Sequence, residues 1–267
     1  MQTFKKADLA AIQQNKGHIE CLQELRAIAR AITESQDGRE SHFAQASVAF
    51  LSRMMQHAEN LIKIGETLDA WLIARSALEG FVLYAWMATD PNSREEKATE
   101  YGEVAYIEGH SLGIRLNRYT GTKFSEFNKA VQERAQLNNG IEVEEAIRIA
   151  SGREAFAKSY LERITGKSLK QLFDELDASL HADELHKSIY ELHYSMFSGY
   201  HHWSPLYFNV SATGPFEYYD GTPSDYGIAL SLTVGVVMAM CNIANDFFGS
   251  GLSERLDTVA TRNDNLT

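Results

Sequence analysis

Apolar residues recur along this chain at three- and four-residue spacing, the period that lines one face of a helix. Leu9, Ile12, Ile19, Leu22, Leu25, Ile28 and Ile32 mark a first amphipathic helix from about Lys5 to Glu34, stopped by Ser35-Gln36-Asp37-Gly38. A second, with Phe43, Ala46, Phe50, Met54 and Leu61 on its apolar face, runs from about Glu40 to Ile64 and ends at Gly65. The third, Ala70–Thr89, breaks the pattern: it is apolar on every side, and its only charges are Arg75 and Glu79, one turn apart. A helix without a polar face belongs in the middle of a fold. The short connection before it predicts that it packs antiparallel to the second helix.

Asp90-Pro91 then supplies an N-cap and a first-turn proline for a helix reaching about Arg118. Tyr119-Thr120-Gly121-Thr122 breaks it, and Phe124–Leu137 is a further helix stopped by Asn138-Asn139-Gly140. Three short peripheral helices are expected between Ile141 and Leu180. From Asp183 to Trp203, Leu185, Ile189, Leu192, Met196 and Trp203 share one face, while Glu191, Tyr194, Ser198 and His202 share the adjoining one. Leu206–Val210 and Phe216–Tyr219 flank Ser211-Ala212-Thr213-Gly214 and read as a small β-hairpin-like insert near 206–219. The last helix, about Ser224 to Phe248, has no charge between Tyr226 and Asn245, and the polar stretch 256–267 is expected to fray.

The pattern therefore predicts an all-α, multi-helix bundle around a buried central helix, organised as one domain over 1–255. At 267 residues and 44% hydrophobic content the chain can bury a substantial core, and with only four prolines its helices can run long. The last helix is long enough for a bilayer and carries Gly227, Ser231, Gly235 and Ala239 as a small-residue stripe. It lacks flanking Lys/Arg clusters, so the expectation is a helix packed tightly on a neighbour and no membrane span. The same stripe, or an outer helix, offers a face for a homo-oligomer.

Composition narrows the function. A net charge of −11 argues against an extended basic surface for nucleic acid, leaving room for one local basic pocket. Cys21 and Cys241 lie far apart inside apolar helical patterns, which suits buried reduced thiols. The first residues, MQTFKKADLAAIQQNK, lack the apolar core of a signal peptide, so a cytoplasmic location is expected. Nucleophile elbows, phosphate-cradling loops and dinucleotide fingerprints are missing from the sequence. No Glu has a His three residues on, as helical di-iron sites need, and His-Glu-x-x-His is missing too, so neither metal nor cofactor is expected.

What remains is the conflict in the central helix. Arg75 before Glu79 is the weaker order for an exposed pair, and the flanking residues are apolar, so burial is expected. Buried ions need partners, and the row Tyr194, Ser198, His202 carries hydroxyls and an imidazole able to meet them across a helix interface. An architectural pair that fixes helix register is the alternative reading.

Ala74-Arg75-Ser76-Ala77-Leu78-Glu79, Asp90-Pro91, Tyr101 and Tyr194-x-x-x-Ser198-x-x-x-His202-x-Ser204 together make the sequence, over about Phe43–Pro205, resemble a broad bacterial family of all-helical proteins of unknown function. The resemblance implies an all-helical fold and a candidate site formed by Arg75, Glu79, Tyr101, Tyr194, Ser198 and His202. More distantly the sequence is similar to the HEPN helical domains, many of them RNA-cleaving toxins or defence effectors. There a histidine and an arginine handle the 2′-hydroxyl proton and the phosphorane charge without metal. This chain departs from their spacing: Arg53-Met54-Met55-Gln56-His57 is one residue short, and Arg75 and His202 fall on different helices. The leading expectation is a non-catalytic binding or regulatory module, in a bacterial defence setting, with Arg75 on an anionic ligand or partner group and Glu79 and Ser198 orienting His202. The competitor is a metal-independent endoribonuclease acting on RNA, with His202 as acid/base and Arg75 as phosphate stabiliser. A structural or assembly subunit is the third reading.

Overall fold

The computed structural model describes residues 9–34, 41–65, 69–102, 162, 165–180, 189–201, 208–209, 217–218 and 223–266. Its described part is all-helical in class: α1 Leu9–Gln14, α2 Lys16–Glu34, α3 His42–Ile64, α4 Asp69–Ala88, α5 over 94–102, α6 Leu169–Leu180, a π turn Ile189–Tyr194 leading into α7 Ser195–His201, α8 Pro223–Phe248 and α9 Ser253–Asp264. Phe208 pairs antiparallel with Tyr218 and Asn209 with Glu217. The rest of the insert expected near 206–219 lies outside the described residues, as do the helix expected over 124–137 and the continuation of α5 towards residue 118.

The centre is α4 laid against α8, with α3, α6 and α7 also touching α4, and α2, α3 and α9 touching α8. Both central helices are apolar nearly all round, and each buries twelve residues. Although α8 is long and apolar enough to cross a membrane, in this fold its apolar surface meets other helices. Its small-residue stripe does not form the tight contact expected of it. Gly227, Ser231, Gly235 and Ala239 are half-buried, a Cβ on Gly235 would meet nothing within 4 Å, and only Gly227 is close-packed, against the Asn15 amide. The branched residues between them, Leu230, Val234 and Val237, take the interior instead.

Local chemistry sets the helix ends. Ser41 holds an extended backbone (φ −96°, ψ 147°), and its Oγ accepts the Ala44 N–H at 3.0 Å, an N-cap for α3. The Glu95 carboxylate of α5 accepts a further first-turn amide, Phe43 N–H, at 3.3 Å. Gly65, at φ 72°, ends the helix. α3 and α4 run antiparallel: Ser47 and Phe50 meet Tyr84, Met54 meets Gly80, and His57 meets Ser76. A Cβ at Gly80 would sit 2.9 Å from Met54 Cε, so the glycine permits this close approach. Asp90 caps the next turn, accepting from Asn92 N–H at 2.9 Å and Ser93 Oγ at 2.8 Å.

Three side chains from different helices fix the start of α8. Asn15 Nδ2 donates to the Pro223 carbonyl at 3.1 Å, Trp71 Nε1 to the Asp225 carbonyl at 3.0 Å, and Tyr226 Oη to the Leu61 carbonyl at the end of α3 at 3.0 Å. The first of these corrects the expectation of one helix over residues 5–34, because the helix breaks at Asn15, a buried residue whose side chain reaches α8. Both cysteines are buried and free, and burial pushes the Cys241 thiol up to about 12.

The carboxyl-terminal stretch expected to fray is instead α9. Asn245 organises the turn, its Oδ1 accepting Leu252 N–H at 2.9 Å and its Nδ2 donating to Ser253 Oγ at 3.1 Å, while Gly249 and Gly251 take positive φ. Leu256 and Val259 are buried, and Arg255 binds Glu24 of α2 at 2.6 Å. Leu256→Ala is therefore expected to destabilise the protein by about 2–4 kcal/mol in urea unfolding, as removal of a core leucine does. A frayed segment would lose nothing measurable.

Candidate functional site

Trp71, Arg75 and Glu79 follow one another along α4 at four-residue spacing, and the segment 189–201 lies beside them. Phe197 packs on Trp71 with ring centroids 5.4 Å apart, and one turn earlier Tyr194 reaches the charged pair. Arg75 Nε donates to Glu79 Oε1 at 3.0 Å, Arg75 Nη2 donates to the Tyr194 hydroxyl at 3.3 Å, and that hydroxyl donates to the same Glu79 Oε1 at 3.3 Å. The three groups close a triangle. The guanidinium carbon also stands 5.2 Å from the Tyr194 ring centroid, a cation–π contact.

The Arg75 side chain is 15% exposed and that of Glu79 34%, so the pair lies at a lip of the core with its cation further in. Arg75 Nη1 is buried and has no hydrogen-bond partner among the described residues. Oε2 of Glu79 has none among the described residues. Burial, and after it the negative charge of Glu79, raises the Tyr194 phenol above its ordinary value of 10.0, which keeps it protonated and able to donate.

Tyr194 thus stands among the expected partners of Arg75 and Glu79. Ser198, one turn further along α7, is half-buried, and among the described residues no hydrogen bond links it to either. Tyr101 packs on Phe50, centroid to centroid 5.2 Å, at the Tyr84 end of the α3–α4 interface. His202 lies outside the described residues.

Two histidines near this interface were not among the residues expected to form the site. His57 is buried in α3 with Nε2 3.3 Å from Ser76 Oγ; its place between Met54 and Leu61 on the apolar stripe was the available signal. His193, beside Tyr194, has its ring 6.3 Å from that of Phe197, and its Nδ1 is buried without a partner.

Residues 42–214 match a family of unknown function, DUF5677. The chain belongs to this family. No curated protein and no solved structure matches it. The DUF5677 segment holds all three members of the triangle, whereas α2 and α8 lie outside it. The polar site of this DUF5677 protein is therefore internal to the family's segment, and much of the apolar cover of α4 comes from beyond it.

Three imidazoles, His57 buried and His18 and His193 half-buried, make stability depend on pH. Burial holds His18, His57 and His193 below the ordinary 6.5, with the Arg53 charge adding to the effect at His57. Below 6.5 the unfolded chain takes up protons that the fold resists, so the unfolded state binds more of them and stability falls as pH drops. Glu59 and Asp90, whose carboxyls are lowered by partners, lose their contribution only at more acidic pH, below their ordinary values of 4.5 and 3.8. The urea midpoint is expected to be level above pH 6.5 and to decline towards about pH 5, with His57→Gln reducing the decline. A midpoint unchanged across that window would mean that the imidazoles are solvated in the fold.

Proposed function

We propose that this DUF5677 protein is a cytoplasmic, non-catalytic binding or regulatory module whose Arg75 takes a negatively charged group of a small ligand or partner. The observation that carries this reading is Nη1 of Arg75, a buried charged donor without an acceptor among the described residues. Leaving such a donor unmade costs about 1–3 kcal/mol, a penalty relieved when an acceptor arrives. Two other arginines have a buried nitrogen without a partner among the described residues, but in Arg26 and Arg94 it is Nε, the guanidinium nitrogen joined to the side-chain stem. The head of Arg26 bonds Glu59, and that of Arg94 lies between the rings of Phe43 and Phe247. Among the described residues Arg75 alone leaves a terminal nitrogen so placed.

The holding groups support the same reading. Glu79 grips Nε and Tyr194 grips Nη2, so the guanidinium is already oriented and little side-chain entropy is lost on binding. A ribonuclease would need the His202 imidazole beside Arg75, and His202 lies outside the described residues.

The reading is tested by thermal melting of wild type and Arg75→Gln against a panel of simple carboxylates, phosphates, nucleotides and amino acids. A ligand at a hundredfold its Kd adds about 2.7 kcal/mol, or roughly 5–10 °C, and that rise is expected in wild type and lost in the variant. If no compound gives an Arg75-dependent rise, the pair is architectural. Cleavage of total RNA in the presence of chelator, abolished by His202→Ala, would restore the nuclease.

A further inference from the structure

Arg75 and Glu79 cancel each other's charge. A bare anion approaching the guanidinium also meets the carboxylate whose Oε1 lies 3.0 Å from Arg75 Nε, so most of the attraction is lost. A group carrying both signs suffers no such loss. The Tyr194 hydroxyl already shows the pattern that the pair accepts, taking a hydrogen from Arg75 Nη2 and giving its own to Glu79 Oε1. It does so at 3.3 Å in each direction, longer than the roughly 2.9–3.0 Å of a good N–H···O bond and well beyond the roughly 2.7–2.8 Å of a good O–H···O bond. The phenol is a loosely held, neutral occupant of a place suited to a charged one.

We propose that the ligand of this site is a small amine–carboxylate zwitterion of the α-amino acid type, its carboxylate on Arg75 and its ammonium on Glu79. The proposal rests on the binding role argued above. One carbon separates the ammonium from the carboxylate in such a molecule, so its two charges can lie against two side chains that themselves touch at 3.0 Å. Four charges then alternate in sign around one ring of hydrogen bonds. The donor for the carboxylate is Nη1, and Nη2 joins it once the phenol swings aside. The acceptor for the ammonium is Oε2 of Glu79, which has no partner among the described residues, on a side chain 34% exposed. That exposed side is the way in, and the Tyr194 ring moves with its hydroxyl when the phenol gives way.

Three probes separate the charges: L-alanine, propionate, which lacks the ammonium, and ethylamine, which lacks the carboxylate. Titrated into the whole protein and followed by calorimetry and thermal melting, alanine is expected to bind about tenfold tighter than either, the worth of one charge-assisted hydrogen bond. Glu79→Gln is expected to erase alanine's advantage over propionate, Arg75→Gln to abolish both, and Tyr194→Phe to tighten alanine by removing the internal competitor. If propionate or ethylamine matches alanine, or if Glu79→Gln leaves the preference intact, the zwitterion is overturned. An Arg75-dependent response to propionate would then leave the anion site standing. If no probe responds in an Arg75-dependent way, the zwitterion and anion binding both fall. Should Arg75→Gln not fold, Glu79→Gln and Tyr194→Phe, both at a partly exposed edge, decide the proposal.

Discussion

The contact between α4 and α8 is the constraint to which the rest of the molecule answers. Neither helix has a polar face, so neither can stand at a surface, and burying one against the other leaves apolar residues still uncovered on both. The remaining helices supply that cover, α2 and α9 over α8, α6 and α7 over α4, and α3 along both. Their own sequences are amphipathic because each has only one neighbour-facing stripe to hide. The polar links that fix α8, from Asn15, Trp71 and Tyr226, all converge on its first turn and on the end of α3. There the helix ends leave carbonyls that the core cannot otherwise satisfy.

Arg75 and Glu79 survive in this setting because they lie at a lip of the core, beside the π turn that carries Tyr194. A buried ion pair is sustained only when its spare hydrogen-bonding groups are also met. Tyr194 meets one donor and adds a bond to the carboxylate, yet it leaves Nη1 unmet. The site is thus incomplete in a directional way: its structural needs are served on one side, and a single charged donor is left over.

Periodicity made the larger outlines legible. The ends of α3 at Ser41 and Gly65, the antiparallel pairing of α3 with α4, the buried character of α4 and the two reduced cysteines could all be read from spacing and composition. The break at Asn15 could not, since the apolar stripe runs through it unbroken and its cause is a carbonyl more than two hundred residues away. α9 was hidden for a different reason. Only Leu256 and Val259 of its twelve residues are buried, too few for a stripe, and its start is set by the Asn245 side chain in the preceding helix. Within the site, the charges of Arg75 and Glu79 were conspicuous because they interrupt an apolar run, whereas Tyr101 was suggested by the family resemblance alone and Ser198 by that resemblance and a shared wheel position. A wheel drawn at 3.6 residues per turn also misplaces neighbours across the π turn Ile189–Tyr194, where bonding runs from i to i+5.

That π turn has a consequence for how Tyr194 is held. It ends at Tyr194, and three residues later Phe197 anchors the following helix on Trp71, whose indole is itself tied to the Asp225 carbonyl in the first turn of α8. The chain of contacts from α8 through Trp71 and Phe197 fixes the downstream side of the tyrosine. The upstream side is a wider turn, with Leu192 59% exposed and His193 only half-buried. Tyr194 is therefore braced on one side by packed aromatic rings and bounded on the other by irregular backbone. A phenol so placed can give up two long hydrogen bonds by turning away with its ring, while Phe197 keeps the following helix on Trp71.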